Sequence, residues 1–316
     1  MGCLFMRYKP LVSVIIPTYC RPKLFKIALD SVLNQTYKNI EIFITDNSPD
    51  EDTKFIMQSY LKKYNNIIYE HHPEYKGALE NWNRAIAYDN PKAEYVNWLM
   101  DDDVFMPNKI EVMVGKFLKY NNLALVTSYR QAIDINGNIL PDMPCNKRIS
   151  ECDNMYSGEG IGKTLLFNIN NFVGEPTTVL IKKKCISCGQ IGGVSLLDNG
   201  DFISDFPTWL DCLRNGDLYY VSEPLSQFRI HLGQEQNNMD IYSLGILCWG
   251  REVLYAYENK TYLKNKDDFM KSSYIWLKTL EIYINKCERV SYNNEDMIKQ
   301  VADITNKISV IRSSFI

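Results

Sequence analysis

Strand-length apolar runs alternate with helix-period segments over the first 130 residues, and this order constrains the fold most. Leu11 to Pro17 (LVSVIIP), 40–45 (IEIFIT), 66–70, 94–100 (EYVNWLM) and 123–127 (LALVT) are the apolar runs. Continuous apolarity is what a strand covered on both faces requires. One helical segment opens at Pro22, with Leu24, Ile27, Ala28 and Val32 on one face. The segment 50–63 carries Asp50, Glu51 and Asp52 in its first turn, where the helix dipole favours acids. Segments 78–88 and 107–119 follow, the latter with Pro107 in its opening turn. Such β-α-β-α order predicts a parallel α/β sheet, which binds ligands beyond the carboxyl ends of its strands.

The stretch from about 130 to 235 is less regular. A hairpin turn is expected around Gly137, a strand at 177–182 and a short helix with Trp209 at 205–215. Past about 240 the period becomes that of long helices. Leu277, Leu280, Ile284 and Cys287 share one face, as do Met297, Val301, Ile304, Ile308 and Ile311. The expected organisation is a tail over 1–9, an α/β domain over 10–238 and a helical appendage over 239–316. With 46% hydrophobic and 12% aromatic residues the chain has enough apolar side chain for a core, which excludes disorder. A net charge of -3 argues against nucleic acid as the main partner. No apolar run reaches membrane-spanning length and no signal-like leader is expected. The nine cysteines lack small-scaffold spacing and predict reduced thiols in a cytoplasmic protein.

The expected strand ends carry Pro17-Thr18-Tyr19-Cys20-Arg21, Asp46-Asn47-Ser48 and Asp101-Asp102-Asp103. Three successive carboxylates repel one another unless solvated or neutralised. A divalent cation is one solution, and all-oxygen ligands suit Mg2+ or Mn2+ with substrate phosphates completing the shell. A solvated loop before a helix is the plainer alternative.

At these residues the chain resembles glycosyltransferase family 2, the inverting enzymes of bacterial type with the GT-A fold. The resemblance rests on five segments in the family's order: PLVSVIIPTYCRP (10–22), SVLNQTYKNIEIFITDNSPDEDT (31–53), YVNWLMDDDVFMPNKIE (95–111), VGEPTTVLIKK (173–183) and SDFPTWLDCLRNGDLYYVSEPLSQFRIHLGQ (204–234). It implies a mixed sheet flanked by helices and transfer of a hexose from a nucleotide-sugar, UDP-sugar favoured, to a glycan, lipid-linked or protein hydroxyl, as in polysaccharide biosynthesis. It further implies donor contacts from Pro17, Thr18, Tyr19, Arg21, Asp46, Asp101, Asp102 and Arg229, with Asp46 on the nucleobase and Asp102 on the ribose. Mn2+ or Mg2+ would be held by Asp103 and His231, and Gln234 would lie near the donor. Asn47 and Met100 stand where the family commonly has aspartates. Asp205, four residues before Trp209, matches the family's catalytic base. Ser204 replaces the acid that usually precedes it, and Asp201 and Asp211 are the nearest other carboxylates. An N-cap role is the plain reading of an isolated aspartate there.

Three features point elsewhere. Ser157-Gly158-Glu159-Gly160-Ile161-Gly162-Lys163-Thr164 is similar to a phosphate-binding loop, but its first glycine is replaced by Ser157 and no apolar strand precedes it. Cys185 and Cys188 with Cys145 and Cys152 would offer four thiolates for zinc, against which buried structural thiols are the expectation. Gly189, Gly192 and Gly193 lack the setting of a dinucleotide fingerprint. A binding or scaffold protein of the same fold is the remaining alternative. For the appendage, plain packing is favoured over shaping the acceptor cleft, oligomerisation or peripheral contact with the membrane's inner face.

Overall fold

The structure is a computed structural model and describes residues 8–74, 78–186, 205–231 and 239–315. Its first half runs β1 (Leu11–Thr18), α1 (Pro22–Leu33), β2 (Ile40–Asp46), α2 (Asp52–Lys63), β3 (Ile67–His71), α3 (Ala78–Ala87), β4 (Ala93–Trp98), β5 (Val104–Phe105) and α4 (Lys109–Lys119). Then come β6 (Leu123–Ile133), β7 (Asn154–Tyr156), α5 (Gly158–Asn168), β8 (Leu180–Lys182), α6 (Asp205–Leu213) and β9 (Asp217–Arg229). The helices α7 (Met239–Glu258), α8 (Lys266–Arg289) and α9 (Glu295–Ser313) close the chain.

The sheet order is β3-β2-β1-β4-β8-β6-β9-β5, with β7 paired to β9. The strands β3, β2, β1 and β4 are mutually parallel. The sheet becomes mixed at β8, which is antiparallel to both β4 and β6. Register places Thr18 beside Asp46 and Asp46 beside His71, so three strands end on one edge. Both faces are covered. Val12, Val14 and Ile16 pack with α1 and α4, while Ile15, Phe43 and Trp98 share a cluster with α5, α6 and the appendage. This two-sided burial is why β1 and β2 read as unbroken apolar runs.

Several boundaries depart from the sequence expectation. The buried face of α1 is Phe25, Ala28, Leu29 and Val32, and Ile27 is exposed. α2 starts at Asp52 because Asp50 Oδ1 accepts the Asp52 N–H (3.0 Å), closing a local turn that competes with the helix. β6 runs to Ile133 through polar Ser128–Gln131, since Arg130 pairs with Glu175 (2.6 Å) and Gln131 with Gln227 (3.1 Å). β8 begins at Leu180 because the preceding chain turns, with Thr178 N–H donating to Glu175 O (2.9 Å). The segment before Ser157 does form a strand, β7, but it is a three-residue antiparallel edge. In α8, Ile284 is exposed and Phe269, Trp276, Leu280 and Tyr283 carry the buried stripe.

The appendage joins the main core rather than resting beside it. Tyr262 donates to Leu210 O and Ser272 Oγ to Leu166 O (2.8 Å), while Trp276 Nε1 ties α8 to α7 at Ile246 O (3.0 Å). Trp249 of α7 stacks on Phe206 of α6 with ring centroids 3.5 Å apart. A Cβ on Gly162 would lie 2.1 Å from the Tyr262 ring, so that glycine is needed for close packing and not for a phosphate. No helix among the described residues is long and apolar enough to cross a membrane.

Glu252 of α7 is buried, and burial pushes its carboxyl up to about 8. The native state therefore holds a proton that the unfolded state releases near 4.5. The resulting stability is full below pH 4.5 and is lost as pH rises through about 8. Replacing Glu252 by Gln should flatten the fall in Tm between pH 5 and 9 and raise stability at pH 9 by up to ~4 kcal/mol. Thermal melts across that range check it, and parallel curves for the two proteins would contradict it.

Candidate active site

The carboxyl ends of β1, β2 and β3 are tied into one frame. Asp46 is fully buried; its Oδ1 accepts the Ser48 N–H (2.9 Å) and its Oδ2 the Tyr69 hydroxyl (2.7 Å). Burial and the Asp46 charge hold the Tyr69 phenol far above its ordinary range. Ser48 Oγ accepts from Cys20 N–H (2.8 Å), and its carbonyl lies 2.9 Å from His71 Nε2. Cys20 takes a left-handed backbone, φ 51°. Asn81 of α3 bridges Thr18 O (2.9 Å) and Thr45 Oγ1 (2.8 Å). Pro17 stands near the end of β1, and the half-exposed Tyr19 presents its ring just beyond it.

The triplet after β4 splits into three environments. Asp101 faces the β1 loop: Oδ2 accepts from Thr18 Oγ1 (2.9 Å) and Tyr19 N–H (3.2 Å), and Oδ1 from Arg21 (3.1 Å). Burial first, then the Asp102 charge, raises its carboxyl to about 6, with Arg21 opposing. Asp103 is 1% exposed. Its Oδ2 accepts from Thr177 Oγ1 (2.6 Å) and its Oδ1 from Arg229 N–H (2.9 Å). Burial and the neighbouring Asp102 and Glu175 charges hold it well above the usual carboxylate range. Asp102 differs. Its Oδ2 meets Arg21 (3.2 Å) and His231 Nε2 (2.9 Å), while its Oδ1 makes no hydrogen bond with the described residues.

Arg229 points into the protein. Its Nε donates to Asp102 O (2.7 Å), and a terminal nitrogen donates to Asp134 O (2.9 Å) and Ile135 O (3.1 Å). It thereby locks the acidic loop to the hairpin turn that Gly137 forms at φ 88°. The cation over Asp101 and Asp102 is Arg21, its side chain 31% exposed.

These residues suit a divalent ion at Asp102 and His231. His231 Nε2 donates to Asp102 Oδ2 at 2.9 Å, and on giving up that proton the ring nitrogen could join the carboxylate in holding such an ion. Among the described residues no three His, Cys, Asp or Glu side chains form a metal-binding group. Two protein ligands leave the remaining positions to water and phosphate oxygens, the usual arrangement for Mg2+-type sites.

A loop within 171–178, to which sequence reading assigned no site residue, joins this cluster to Asp205. Thr177 Oγ1 donates to Asp103 and accepts from Met100 N–H (3.1 Å). Asn97 donates to Pro176 O (2.9 Å), and the buried Lys109 ammonium donates to Thr178 O (2.9 Å). Burial lowers Lys109 to about 7. Gly174 has φ 115°, and its carbonyl accepts from Trp209 Nε1 (2.9 Å) and Asn171 Nδ2 (3.1 Å). Asn171 Nδ2 also donates to Asp205 Oδ2 (2.9 Å). Asp205 opens α6, partly buried, and burial raises its carboxyl; Glu175 adds to this, as it does at Asp103. Asn171 and Thr177 had one usable signal: an Asn-x-x-Gly and a Thr pair before a short strand.

Gln234, Asp201, Ser204, Cys188 and Gly189-x-x-Gly192-Gly193 lie outside the described residues. Ser157 caps α5 through Gly160 N–H (3.1 Å), and Lys163 pairs with Asp268 (2.6 Å). Cys185 is buried and Cys152 exposed. A cavity of about 540 Å³ opens at the amino ends of β1 and β4, lined by Tyr88, Trp98 and Lys182–Lys184, away from the carboxylates.

Residues 13–184 match the model of glycosyl transferase family 2. An uncharacterised glycosyltransferase of Rickettsia prowazekii is 33% identical over 232 residues, covering 73% of this chain and 67% of that protein. The GalNAc(5)-diNAcBac-PP-undecaprenol beta-1,3-glucosyltransferase of Campylobacter jejuni is 25% identical over 290 residues, covering 87% and 82%. Among solved structures, S. aureus TarS 1–349 in complex with UDP-GlcNAc superposes with a TM-score of 0.54 at 15% identity, covering 96% of this chain and 91% of that one. The chain covers 40% of a longer TarS chain. The mannosyltransferase PcManGT from Pyrobaculum calidifontis, in complex with GDP-Man and Mn2+, gives 0.52 at 12% identity, covering 97% and 84%. At such identities these structures speak for the fold, the mixed sheet of the GT-A type.

Proposed function

From the premise that the chain belongs to glycosyl transferase family 2 and is a glycosyltransferase, we propose that it moves a sugar from a nucleotide-sugar to a hydroxyl with inversion, aided by a divalent ion. The observation that carries this reading is the Asp102–His231 pair, 2.9 Å apart in the loops that follow β4 and β9. In this reading Asp102 and His231 hold Mn2+ or Mg2+, and Asp103 serves beneath them as a buried brace. A bound ion supplies positive charge for the departing diphosphate. Arg21 adds a second, and the exposed Tyr19 ring offers a face to the nucleobase. Asp46, sealed by Ser48 and Tyr69, orders the nucleobase loop rather than meeting the base.

Asp205 is the general base. As the acceptor oxygen bonds to the anomeric carbon, the carbon–oxygen bond to phosphate breaks on the opposite face. The diphosphate keeps that electron pair, and the hydroxyl proton passes to Asp205. A carboxyl raised by burial suits this role, since a base too acidic takes a proton poorly.

UDP is the favoured nucleotide, in line with the UDP-GlcNAc held by TarS, and a glycan, lipid-linked or protein hydroxyl is the acceptor class. Work at the inner face of the membrane is compatible with this acceptor class. A panel of nucleotide-sugars with and without Mn2+, scored by thermal shift and nucleoside diphosphate release, tests the reading. One donor should raise Tm only with the metal and be turned over. Absence of nucleotide binding under every condition would reject it.

A further inference from the structure

We propose that Asn171 is the positioning residue of the transfer reaction: its amide holds one carboxylate oxygen of Asp205 and sets the plane in which that group meets the acceptor hydroxyl. The proposal rests on Asp205 being the base. Asn171 Nδ2 lies 2.9 Å from Asp205 Oδ2, and Oδ1 accepts the Phe206 N–H at 2.7 Å. A carboxylate has about four lone-pair sites, so two protein bonds fix its plane and leave acceptor capacity for a proton. Asn171 is itself held at both ends. Its Nδ2 donates to Gly174 O (3.1 Å) and its Oδ1 accepts the Gly174 N–H (3.3 Å).

The anchor is rigid for a steric reason. Gly174 sits at φ 115°, and a Cβ there would come within 3.1 Å of both Arg130 and Thr178. Three residues on, Thr177 holds Asp103. One short loop thus spaces the base from the acidic cluster. Errors of about 1 Å in such spacing cost on the order of a hundredfold in rate.

Among the described residues, the titratable groups facing Asp205 are Glu175 and Cys248. Glu175 lies on the same loop and pairs with Arg130 at 2.6 Å; Cys248 of α7 is a thiol kept protonated by burial. Neither donates a hydrogen bond to the carboxylate among those described. The Asn171 amide therefore favours the ionised base, and its loss should make Asp205 harder to ionise.

The test uses the full chain with the nucleotide-sugar turned over fastest in the panel above, followed as nucleoside diphosphate release against pH. Asn171→Ala should lower kcat roughly tenfold and move the acid limb up by about half to one unit, with donor KM changed less than about twofold. Asn171→Asp keeps an acceptor for the Gly174 N–H but sets a like charge beside Asp205, so its limb should move further. This second variant carries the test if the alanine protein folds poorly. Trp209→Phe removes one of the two donors to the Gly174 carbonyl and leaves the Asn171–Asp205 bond; it should lower Tm and leave the limb in place. An unmoved acid limb in both Asn171 variants would overturn the proposal. Retained turnover in Asp205→Asn would instead remove the base assignment, whatever the Asn171 variants do.

Discussion

Asp205→Asn is expected to lower kcat by about 10³ or more while donor affinity stays within about threefold. The amide is isosteric and keeps an oxygen for the Phe206 N–H, so α6 should still form. What it lacks is a site that takes a proton at neutral pH. Without a proton acceptor the attacking oxygen must develop positive charge at the transition state, which the buried surroundings disfavour. In the proposed reading the donor-side groups lie on other loops, so donor binding should not need Asp205. Steady-state kinetics with donor titration by calorimetry separate the two effects. Turnover within tenfold of the native protein would remove Asp205 as the base.

The second large effect separates two neighbours. Asp102→Asn should weaken Mn2+-dependent donor binding by about 10- to 100-fold, whereas Asp103→Asn should leave the metal dependence within about threefold. The contrast follows from their surroundings. Asp102 Oδ1 makes no hydrogen bond with the described residues, and its Oδ2 already faces an imidazole. Both oxygens of Asp103 hold other parts of the fold together, and burial favours its neutral form. An asparagine at 103 can still accept the Arg229 N–H, and the Thr177 hydroxyl can reorient toward its amide. Thermal shift against Mn2+ at fixed donor gives both affinities. Loss of metal dependence in Asp103→Asn with retention in Asp102→Asn would reverse the assignment.

The two acidic neighbours also mark how far sequence reading reaches. The triplet, its place after a strand and the first parallel units were legible because two-sided burial writes itself as largely apolar, strand-length runs. The separate surroundings of its three carboxylates were not. They depend on which carboxylate β9 meets from 126 residues away, through the Arg229 N–H. Arg229 illustrates the same limit. Beside a histidine, an arginine reads as an anion binder; its Nε and one terminal nitrogen also donate to the Asp102, Asp134 and Ile135 carbonyls, contacts no motif announces. Asn171 gave only a local turn signal, because its contact with Asp205 spans 34 residues. The far end of β6 was hidden by polarity: Arg130 is buried because Glu175 meets it, and the half-buried Gln131 accepts from Gln227.

The stacking of Trp249 on Phe206 bears on how such a chain can change over time. The residue after the candidate base is covered by the first helix of the appendage, and one continuous apolar cluster runs from Trp98 through Trp209 to Trp276 and Ile308. The last three helices are therefore not a cassette that recombination can exchange freely. A new tail would have to arrive with matching surfaces on α5 and α6, or leave the base on an unsupported turn. Innovation in acceptor choice should accordingly proceed by point changes within this shared interior and in the loops around it, with tail and catalytic half inherited as a single unit.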